Sequence, residues 1–439
     1  MRRVSGLAVL RGRDFRLWVL GDAASLTGTM MAPVAVTFAL LRHGHGAGDV
    51  GLVMMAQSLP LVGFLLLGGV ISDRFPRRTV MLSADLVRCA AQALLAGLLL
   101  SGSPSLWTYA VIGAVVGAGD AFFNPAVTGL IPQLVDEQRL QEANAIRAVS
   151  WSAGSALGPA LAGIVLSVAA AGWAIAADAL TYAISAACLW RVRPRPLTSP
   201  ALPGRVLDDL RAGWREFRSR TWLWSIVAEF AGFHVVVWPG LMVLGAVVAK
   251  QDLGGAGSWG AILAAFGTGS VLASLVLLRV RPRRPLLAGA CGMFPFGLPL
   301  LALAVPLSTA AVAAAAFAAG VGIGVFGTMW DTTMQREIPP HLLSRVSAYD
   351  WFGSVASMPL GFAVIGPLAT VLGLRGTLVL GACWLLATNA LIAALPAVRG
   401  ITAPADASAQ GGLAVPAHPA GPGTLDHVAQ VVPGPPAQV

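Results

Sequence analysis

The sequence predicts an all-α membrane protein with twelve transmembrane helices in two pseudo-symmetric six-helix bundles. Three observations predict this class: an apolar composition, twelve long apolar runs, and basic residues concentrated on alternate loops. The 439 residues are 56% hydrophobic and 11% charged, whereas about a quarter of the residues of a soluble protein are charged. Too little polar surface is available to cover a water-soluble globule, so the bilayer is the expected solvent.

A helix needs about 20 mainly apolar residues to cross the hydrocarbon core, and the chain contains twelve such runs. The predicted spans are 15–41, 49–71, 80–101, 105–130, 143–168, 170–190, 222–248, 256–278, 286–305, 308–334, 345–372 and 374–396. Only the small residues around Gly172 divide spans five and six, and only Gly373 divides spans eleven and twelve. A strand-built barrel would need alternating segments of about ten residues, which these runs do not show.

The distribution of basic residues predicts the orientation. Twenty-four arginines lie on loops that would share one side, whereas Arg42, Lys250 and Arg375 lie on the other. Cytoplasmic loops carry the excess of Lys and Arg, so both termini are expected in the cytoplasm of a multi-pass plasma-membrane protein. This placement accounts for the net charge of +9 without nucleic acid as a partner. The basic N-terminus runs into an apolar stretch without a clear cleavage site, so we expect a retained span and not a signal peptide.

A long polar stretch divides six spans from six. Val206, Leu210, Trp214 and Phe217 share one face of its second part, which predicts an amphipathic helix at the membrane surface; a solvated linker is the alternative. The predicted organisation is a cytoplasmic N-terminus (1–14), an N-terminal bundle (15–190), a linker (191–221), a C-terminal bundle (222–398) and a disordered cytoplasmic tail rich in Pro, Gly and Ala (399–439).

The two halves repeat each other. The arginine pairs at 77–78 and 283–284, which follow spans two and eight, are 206 residues apart. The Ile-Pro pairs at 131–132 and 338–339, near the ends of spans four and ten, are 207 residues apart. Two landmarks with nearly one offset indicate a duplicated six-helix unit, as in many secondary transporters.

The short loop GGVISDRFPRRTVM, residues 68–81, carries an acid and three arginines between two apolar runs. It resembles the signature loop of the major facilitator superfamily, Gly-x-x-x-Asp-Arg-x-Gly-Arg-Arg, and departs from it at Pro76, where that family has glycine. The matching positions are Gly69, Asp73, Arg74, Arg77 and Arg78.

Span five carries a second motif, GSALGPALAG, with Gly154, Gly158, Pro159 and Gly163. It resembles the Gly-x-x-x-Gly-Pro-x-x-Gly-Gly pattern of drug/proton antiporters, with Ala162 in place of one glycine. Stretches 13–22, 85–89 and 122–135 are similar to the branch of macrolide-efflux and enterobactin-exporter proteins.

The resemblance implies roles for both motifs. Asp73, expected near the start of span three where a helix N-terminus stabilises an anion, would contact the start of span eleven (344–348) and lock the outward-facing state. The arginines would pair with acids and lipid headgroups, and Asp85 with Arg88 forms a local pair. Span five would supply a hinge or a tight seal. The alternatives are a loop that only anchors helix ends and ordinary packing of small residues.

Four acids inside predicted spans are candidates for the site, because a charge at mid-bilayer costs about 3 kcal/mol. They are Asp22, Asp120, Glu229 and Asp331, on spans one, four, seven and ten. Polar stripes extend three of them: Asp22 with Ser25 and Thr29, Asp120 with Asn124 and Thr128, and Asp331 with Thr328 and Gln335. The resemblance implies that these four helices line a central cavity.

For proton coupling we favour Asp22 and Glu229, although each acid could instead be a gate or an inter-helix lock. Asp120 could simply pair with the loop arginines. Asp178 and Asp350 are interpreted as structural hydrogen-bonding groups.

These features predict a secondary active transporter, a proton-coupled exporter of small hydrophobic or amphiphilic compounds of drug, macrolide or siderophore type. The alternatives are an importer or facilitator of the same fold, and a transport-inactive scaffold. No HExxH, GxSxG or Walker motif is present, so we expect no enzyme, no catalytic residues and no cofactor. The expected partners are a small-molecule substrate, protons and lipid, with a monomeric chain. The cysteines Cys89, Cys188, Cys291 and Cys383 lie singly, without metal-site spacing.

Overall fold

A computed structural model describes residues 8–136, 139–195, 206–277, 280, 282–305 and 307–402. Within these residues the regular structure is helical and includes no strand. The apolar runs form the following spans: one Arg13–Arg42, two Ala47–Arg74, three Arg77–Ser101, four Leu106–Leu134, five Leu140–Val168, six Ala171–Arg191, seven Thr221–Asp252, eight Ala256–Leu277, nine Pro285–Ala304, ten Thr309–Glu337, eleven Pro340–Val355 continuing through 358–372, and twelve 374–394. The predicted all-α class is confirmed. The predicted tail from residue 403 onward lies outside the described residues.

The last two spans meet at Gly373 without an intervening loop. The helix Met358–Ala394 is interrupted there by one residue with φ 74° and ψ 159°, a conformation that is essentially restricted to glycine. This single residue therefore ends span eleven and starts span twelve.

Replacing Gly373 tests that assignment. We expect Gly373→Ala to lower the free energy of unfolding by about 1–3 kcal/mol, because a Cβ strains this backbone conformation. Gly376→Ala is the control, since Gly376 is helical and its Cβ would meet Leu372 only at 3.6 Å. Melting curves of the purified protein in detergent measure the difference. Equal melting temperatures for the two variants would contradict the assignment of Gly373 as the strained boundary between spans eleven and twelve.

The connection between spans two and three is shorter than predicted. Span two continues to Arg74 and span three begins at Arg77, so only Phe75 and Pro76 lie between them. Asp73 therefore lies in the last turn of span two and not at the start of span three, which corrects the expected helix-terminus effect. The side chain of Asp73 is outside the described part of the structure. We call the membrane face that carries this turn the linker side and the opposite face the far side.

Glycines bring the two halves into close contact towards the far side. A Cβ at Gly51 of span two would lie 2.4 Å from the carbonyl oxygen of Phe362 in span eleven. We call this contact of spans two and eleven the first seam, and the contact of spans five and eight the second seam. In the second seam, a Cβ at Gly260 of span eight would lie 2.6 Å from the carbonyl oxygen of Pro159 and 2.8 Å from Cα of Gly163, both in span five. Small residues allow such close approach of helices. The Lys250 ammonium adds a hydrogen bond from span seven to the carbonyl oxygen of Leu41.

The linker contains the helix Val206–Ser219. Its Phe217 is buried, and its Trp214, although half exposed, stacks on Phe217 at 5.6 Å between ring centroids. Both rings contact Tyr349 of span eleven, at 5.4 and 6.1 Å. The side chains of Val206 and Leu210 are outside the described part. The described apolar rings of this helix thus pack on the C-terminal bundle.

Candidate transport site and its buried charges

A cavity of about 190 Å³ lies between the halves, bounded by spans one, two, seven, eight and eleven. Its walls are mainly apolar, with three polar side chains, Thr37, Gln57 and Ser58. The full lining is Pro33, Val34, Thr37, Met54, Gln57, Ser58, Leu61, Trp238, Met242, Val243, Trp259, Leu263, Met358 and Phe362. Apolar walls with a few orienting polar groups are typical of small-molecule sites, and methionines adapt to varied shapes.

Irregular turns in span seven shape one wall of this cavity. Two π-helical turns, Phe233–Val237 and Gly240–Leu244, flank Trp238 and Pro239. A π turn adds a residue to the helical repeat and is frequent at functional sites. The turns therefore place Trp238, Met242 and Val243 on the cavity wall.

Arg88 of span three organises a buried charge cluster inside the N-terminal bundle. Its Nη1 donates to Asp120 Oδ1 at 2.6 Å, and its Nη2 donates to Asp85. The guanidinium lies over the rings of Phe123 and Tyr182, with Cζ 4.3 and 4.4 Å from their centroids. The predicted local pair of Asp85 and Arg88 is thus present. Asp120 is thus paired with Arg88 of the neighbouring span, which fits the inter-helix lock among the roles predicted for it and does not involve the loop arginines.

The polar stripe of span one also turns into the N-terminal bundle. Asp22 is 3% exposed, and its Oδ2 lies 3.8 Å from Nε of Arg147 in span five. Ser25 is buried, and the Thr29 hydroxyl lies 3.0 Å from the hydroxyl of Tyr182 in span six. These three side chains share a face, as predicted. They do not line the described cavity, because that face packs on spans five and six.

The two acids of the C-terminal bundle differ in exposure. Glu229 is 8% exposed, and its Oε1 has no hydrogen-bond partner among the described residues. Asp331 is exposed. Beside Glu229, Phe230 stacks on Phe326 of span ten at 4.7 Å. Asp350 accepts a hydrogen bond from Trp330 Nε1 at 3.1 Å, consistent with its predicted structural role.

The loop arginines bind helix ends. Arg77 donates to the carbonyl oxygen of Gly129 in span four. Arg78 donates to the carbonyl oxygens of Leu189 and Trp190, at 2.8 and 2.6 Å, at the end of span six. Arg74 is exposed, and Gly69 lies within span two. Arg77 and Arg78 therefore bind backbone carbonyls at helix ends, and the expected pairing of the loop arginines with acids and lipid headgroups stays a prediction.

The glycines of span five face two different neighbours. A Cβ at Gly154 would meet Leu26 of span one at 3.4 Å, and one at Gly158 would lie 2.7 Å from Met30 Cβ. Gly163 faces span eight, where its Cβ would lie 3.0 Å from Cα of Gly260. The motif thus joins span five to its own bundle and to the other half.

Several residues of the site were not predicted. Gln57 lines the cavity, Arg147 faces Asp22, and Gln92 donates to Asp178 at 2.7 Å. Polar residues within apolar runs were the available signal, but their partners lie on other spans. Among the described residues no group of three or more His, Cys, Asp or Glu could hold a metal ion.

Comparison with known proteins identifies efflux proteins as relatives. Residues 4–413 match the model of the transmembrane secretion effector family. The chain is 25% identical to the multidrug efflux pump Tap of Mycolicibacterium fortuitum, over 85% of this chain and 93% of that protein. It is 23% identical to macrolide efflux protein A of Streptococcus pyogenes, over 83% and 93%. It is 27% identical to the enterobactin exporter EntS of Citrobacter koseri, over 82% and 86%.

The fold is also similar to solved structures. The crystal structure of a bacterial homologue of the iron transporter ferroportin aligns with a TM-score of 0.67, over 87% of this chain and 99% of that chain. At 15% identity this likeness supports the fold alone. The predicted two-bundle architecture and the resemblance to the macrolide-efflux and enterobactin-exporter branch are confirmed.

Proposed function

The chain belongs to the transmembrane secretion effector family of the major facilitator superfamily, and from this premise we propose that it exports small hydrophobic or amphiphilic compounds in exchange for protons. Members of this superfamily are transporters and not enzymes. The observation that carries the proposal is the apolar cavity between the two halves, with its three polar side chains. Such a site favours an apolar molecule with one or two hydrogen-bonding groups.

The linker side is the cytoplasmic side in this proposal. The excess of arginines on the loops of that side supports it. The glycine seams and the Lys250 contact join the halves towards the far side. The described arrangement is then the inward-facing state, in which a substrate reaches the cavity from the cytoplasm or the inner leaflet.

Transport would proceed by rocking of the two halves about the central cavity. The seam between spans five and eight must loosen for the far side to open, and the linker-side ends must then close. Gly69, Asp73, Arg74, Arg77 and Arg78 would stabilise that second state through a contact between Asp73 and the linker-side end of span eleven. In the described arrangement this end of span eleven packs on the linker helix, span seven and span ten.

Buried carboxyls of the two bundles would carry the proton. Asp22 Oδ2 and Glu229 Oε1 both accept no hydrogen bond from the described residues. A buried carboxylate without donors is unfavourable, whereas a neutral acid is tolerated. Each side chain could therefore bind a proton in one state and release it in the other.

The proposal is tested in everted vesicles from a host that lacks its own pumps. With an acidic lumen, we expect the protein to drive ethidium into the vesicles and a protonophore to abolish the uptake. Asp73→Asn should insert normally and transport poorly. Ethidium uptake into right-side-out vesicles would indicate an importer, and no movement of ethidium or of a macrolide in either orientation would refute export of such compounds.

Neutral amides at the two proposed proton carriers give a further prediction. We expect Asp22→Asn and Glu229→Gln each to lower pH-driven ethidium uptake at least tenfold at equal expression, because an amide has no exchangeable carboxyl proton. Asp136→Asn is the control. Asp136 lies outside the spans, and its hydrogen bond from Arg195 at 2.6 Å lowers its pKa, so it stays ionised throughout the assay. Wild-type uptake by both Asp22→Asn and Glu229→Gln would exclude these acids.

A further inference from the structure

Another buried acid, Asp178, lies nearer to the far side than the two proposed proton carriers. Asp178 is 0% exposed and is the eighth residue of span six, about 10 Å from the far-side end at a rise of 1.5 Å per residue. Asp22 and Glu229 lie towards the linker side of their spans. With the halves closed at the far side, neither of them is placed to receive a proton from that side.

The two oxygens of Asp178 have different surroundings. Oδ2 accepts a hydrogen bond from Gln92 Nε2 of span three at 2.7 Å. Oδ1 has no hydrogen-bond partner among the described residues. It faces Gly28 of span one, where an added Cβ would lie 2.5 Å from Oδ1 and 2.2 Å from Oγ1 of Thr181. Thr181 donates its own hydrogen to the Asp178 carbonyl oxygen at 2.7 Å, so its hydroxyl oxygen remains an acceptor for a protonated Oδ1.

The charged and titratable groups around Asp178 do not neutralise it. Arg88 and Cys89 of span three, Asp120 of span four and Tyr182 of span six act on it electrostatically. Arg88 already donates to Asp85 and Asp120. The described N-terminal bundle thus holds four acids in its interior. Asp22, Asp85 and Asp178 are buried and Asp120 is 14% exposed, and the cations that contact this group are Arg88 and Arg147. Two excess negative charges are unfavourable in such an interior, which favours protonation of an acid of this group.

Polar groups connect Asp178 to the far side. His43 follows span one and is exposed, and its Nδ1 lies 3.1 Å from the Tyr109 hydroxyl. Tyr109 and Gln92 both line a cavity of about 20 Å³ in the N-terminal bundle, which is room for about one water. Thr29, Gln57 and Tyr182 line the same cavity. His43, Tyr109, the small cavity and Gln92 therefore lie in series between the far surface and the Asp178 carboxyl.

The same small cavity adjoins the transport cavity. Pro33 and Gln57 line both of them. Asp178 also packs on Gly28, one turn and a half before Pro33 on span one. A change in the charge of Asp178 would therefore act on the helix that forms the cavity wall.

We propose that Asp178 is the proton-entry site of the transporter, reached from the far side past His43, Tyr109 and Gln92 by way of the small cavity, which adjoins the substrate cavity at Gln57. The proposal rests on the proton-coupled export inferred above. When the Gln92 side chain turns aside, a hydronium ion from far-side water reaches the carboxyl. Its O–H bond breaks, a new O–H bond forms at Oδ1 of Asp178, and one excess negative charge is removed. When the halves rock, that O–H bond breaks and the proton passes to water on the linker side, which restores the carboxylate.

Infrared titration tests the site without any substrate. The purified protein in detergent is titrated between acidic and neutral pH while the carbonyl stretch of protonated carboxylic acids is recorded. We expect Asp178→Asn, which keeps an oxygen for Gln92, to remove one pH-dependent component of this band. Asp350→Asn, a matched change at a half-buried acid bonded to Trp330, should leave that component in place. An identical pH-dependent band in wild type and Asp178→Asn would overturn the site.

Ethidium uptake into everted vesicles tests the path. We expect Asp178→Asn to lose pH-driven uptake and Tyr109→Phe, which lacks only the hydroxyl, to slow it several-fold while the Asp178 infrared component persists. Wild-type uptake by both variants would overturn the path. If wild type itself moves no ethidium, proton-coupled export of such dyes fails, and the infrared result alone decides whether Asp178 exchanges a proton.

Discussion

Arg88→Met is expected to lower the free energy of unfolding by about 3–5 kcal/mol, the usual effect of removing one partner from a buried ion pair. The substitution leaves the carboxylates of Asp85 and Asp120 without their shared cation, in a bundle interior where Arg88 itself is 3% exposed. It also removes the guanidinium from between Phe123 and Tyr182. Thermal unfolding in detergent and the yield of inserted protein measure the effect.

The matched control separates burial from contact distance. Arg195 donates to Asp136 at the same 2.6 Å, but these side chains are 69% and 61% exposed. Exposed ion pairs contribute little to stability, so Arg195→Met should unfold as wild type does. Adding Asp85→Asn and Asp120→Asn to Arg88→Met should recover much of the lost stability, because the uncompensated charges are then removed. Equal losses for Arg88→Met and Arg195→Met would show that the buried cluster is not ionic.

The Arg88 cluster also illustrates what the sequence predicts and what it omits. Asp85 and Arg88 are three residues apart on one helix, so helical geometry alone predicts their contact. Asp120 and Arg88 are 32 residues apart, and Gln92 and Asp178 are 86 apart. These contacts depend on how neighbouring spans rotate, and a rotation leaves no trace in the apolar periodicity of a helix that is apolar on all sides.

The spans themselves were predictable because the bilayer imposes their length. Each observed span bound lies within five residues of the predicted one, and Gly373 separates spans eleven and twelve as expected.

The polar stripe of Asp22, Ser25 and Thr29 was predicted as a shared face, but its direction was wrong. A buried polar stripe must avoid lipid, and it can do so in the central cavity or within its own bundle. In this protein the stripe lies within its own bundle, where Thr29 contacts Tyr182 and Asp22 lies beside Arg147.

Gly260→Leu is expected to abolish transport by opening the far side. A Cβ at Gly260 would lie 2.6 Å from the Pro159 carbonyl oxygen and 2.8 Å from Cα of Gly163, and both neighbours are backbone atoms that a rotamer change cannot move. The leucine would therefore force spans five and eight apart and disfavour the described state. We expect ethidium uptake to fall at least tenfold. A cysteine introduced at Thr37, on the cavity wall, should react faster with an impermeant maleimide added from the far side.

The control for Gly260→Leu lies three residues earlier on the same helix. A Cβ at Gly257 would meet only Ser167 at 3.9 Å, so Gly257→Leu adds the same apolar side chain without a clash and should retain transport. The native cysteines, of which Cys291 and Cys383 are exposed, are first replaced by serine so that labelling reports Thr37→Cys alone. Slower or unchanged labelling in Gly260→Leu would contradict a far-side seam. Faster labelling with transport retained would contradict the proposal that this seam must close for substrate to enter from the linker side.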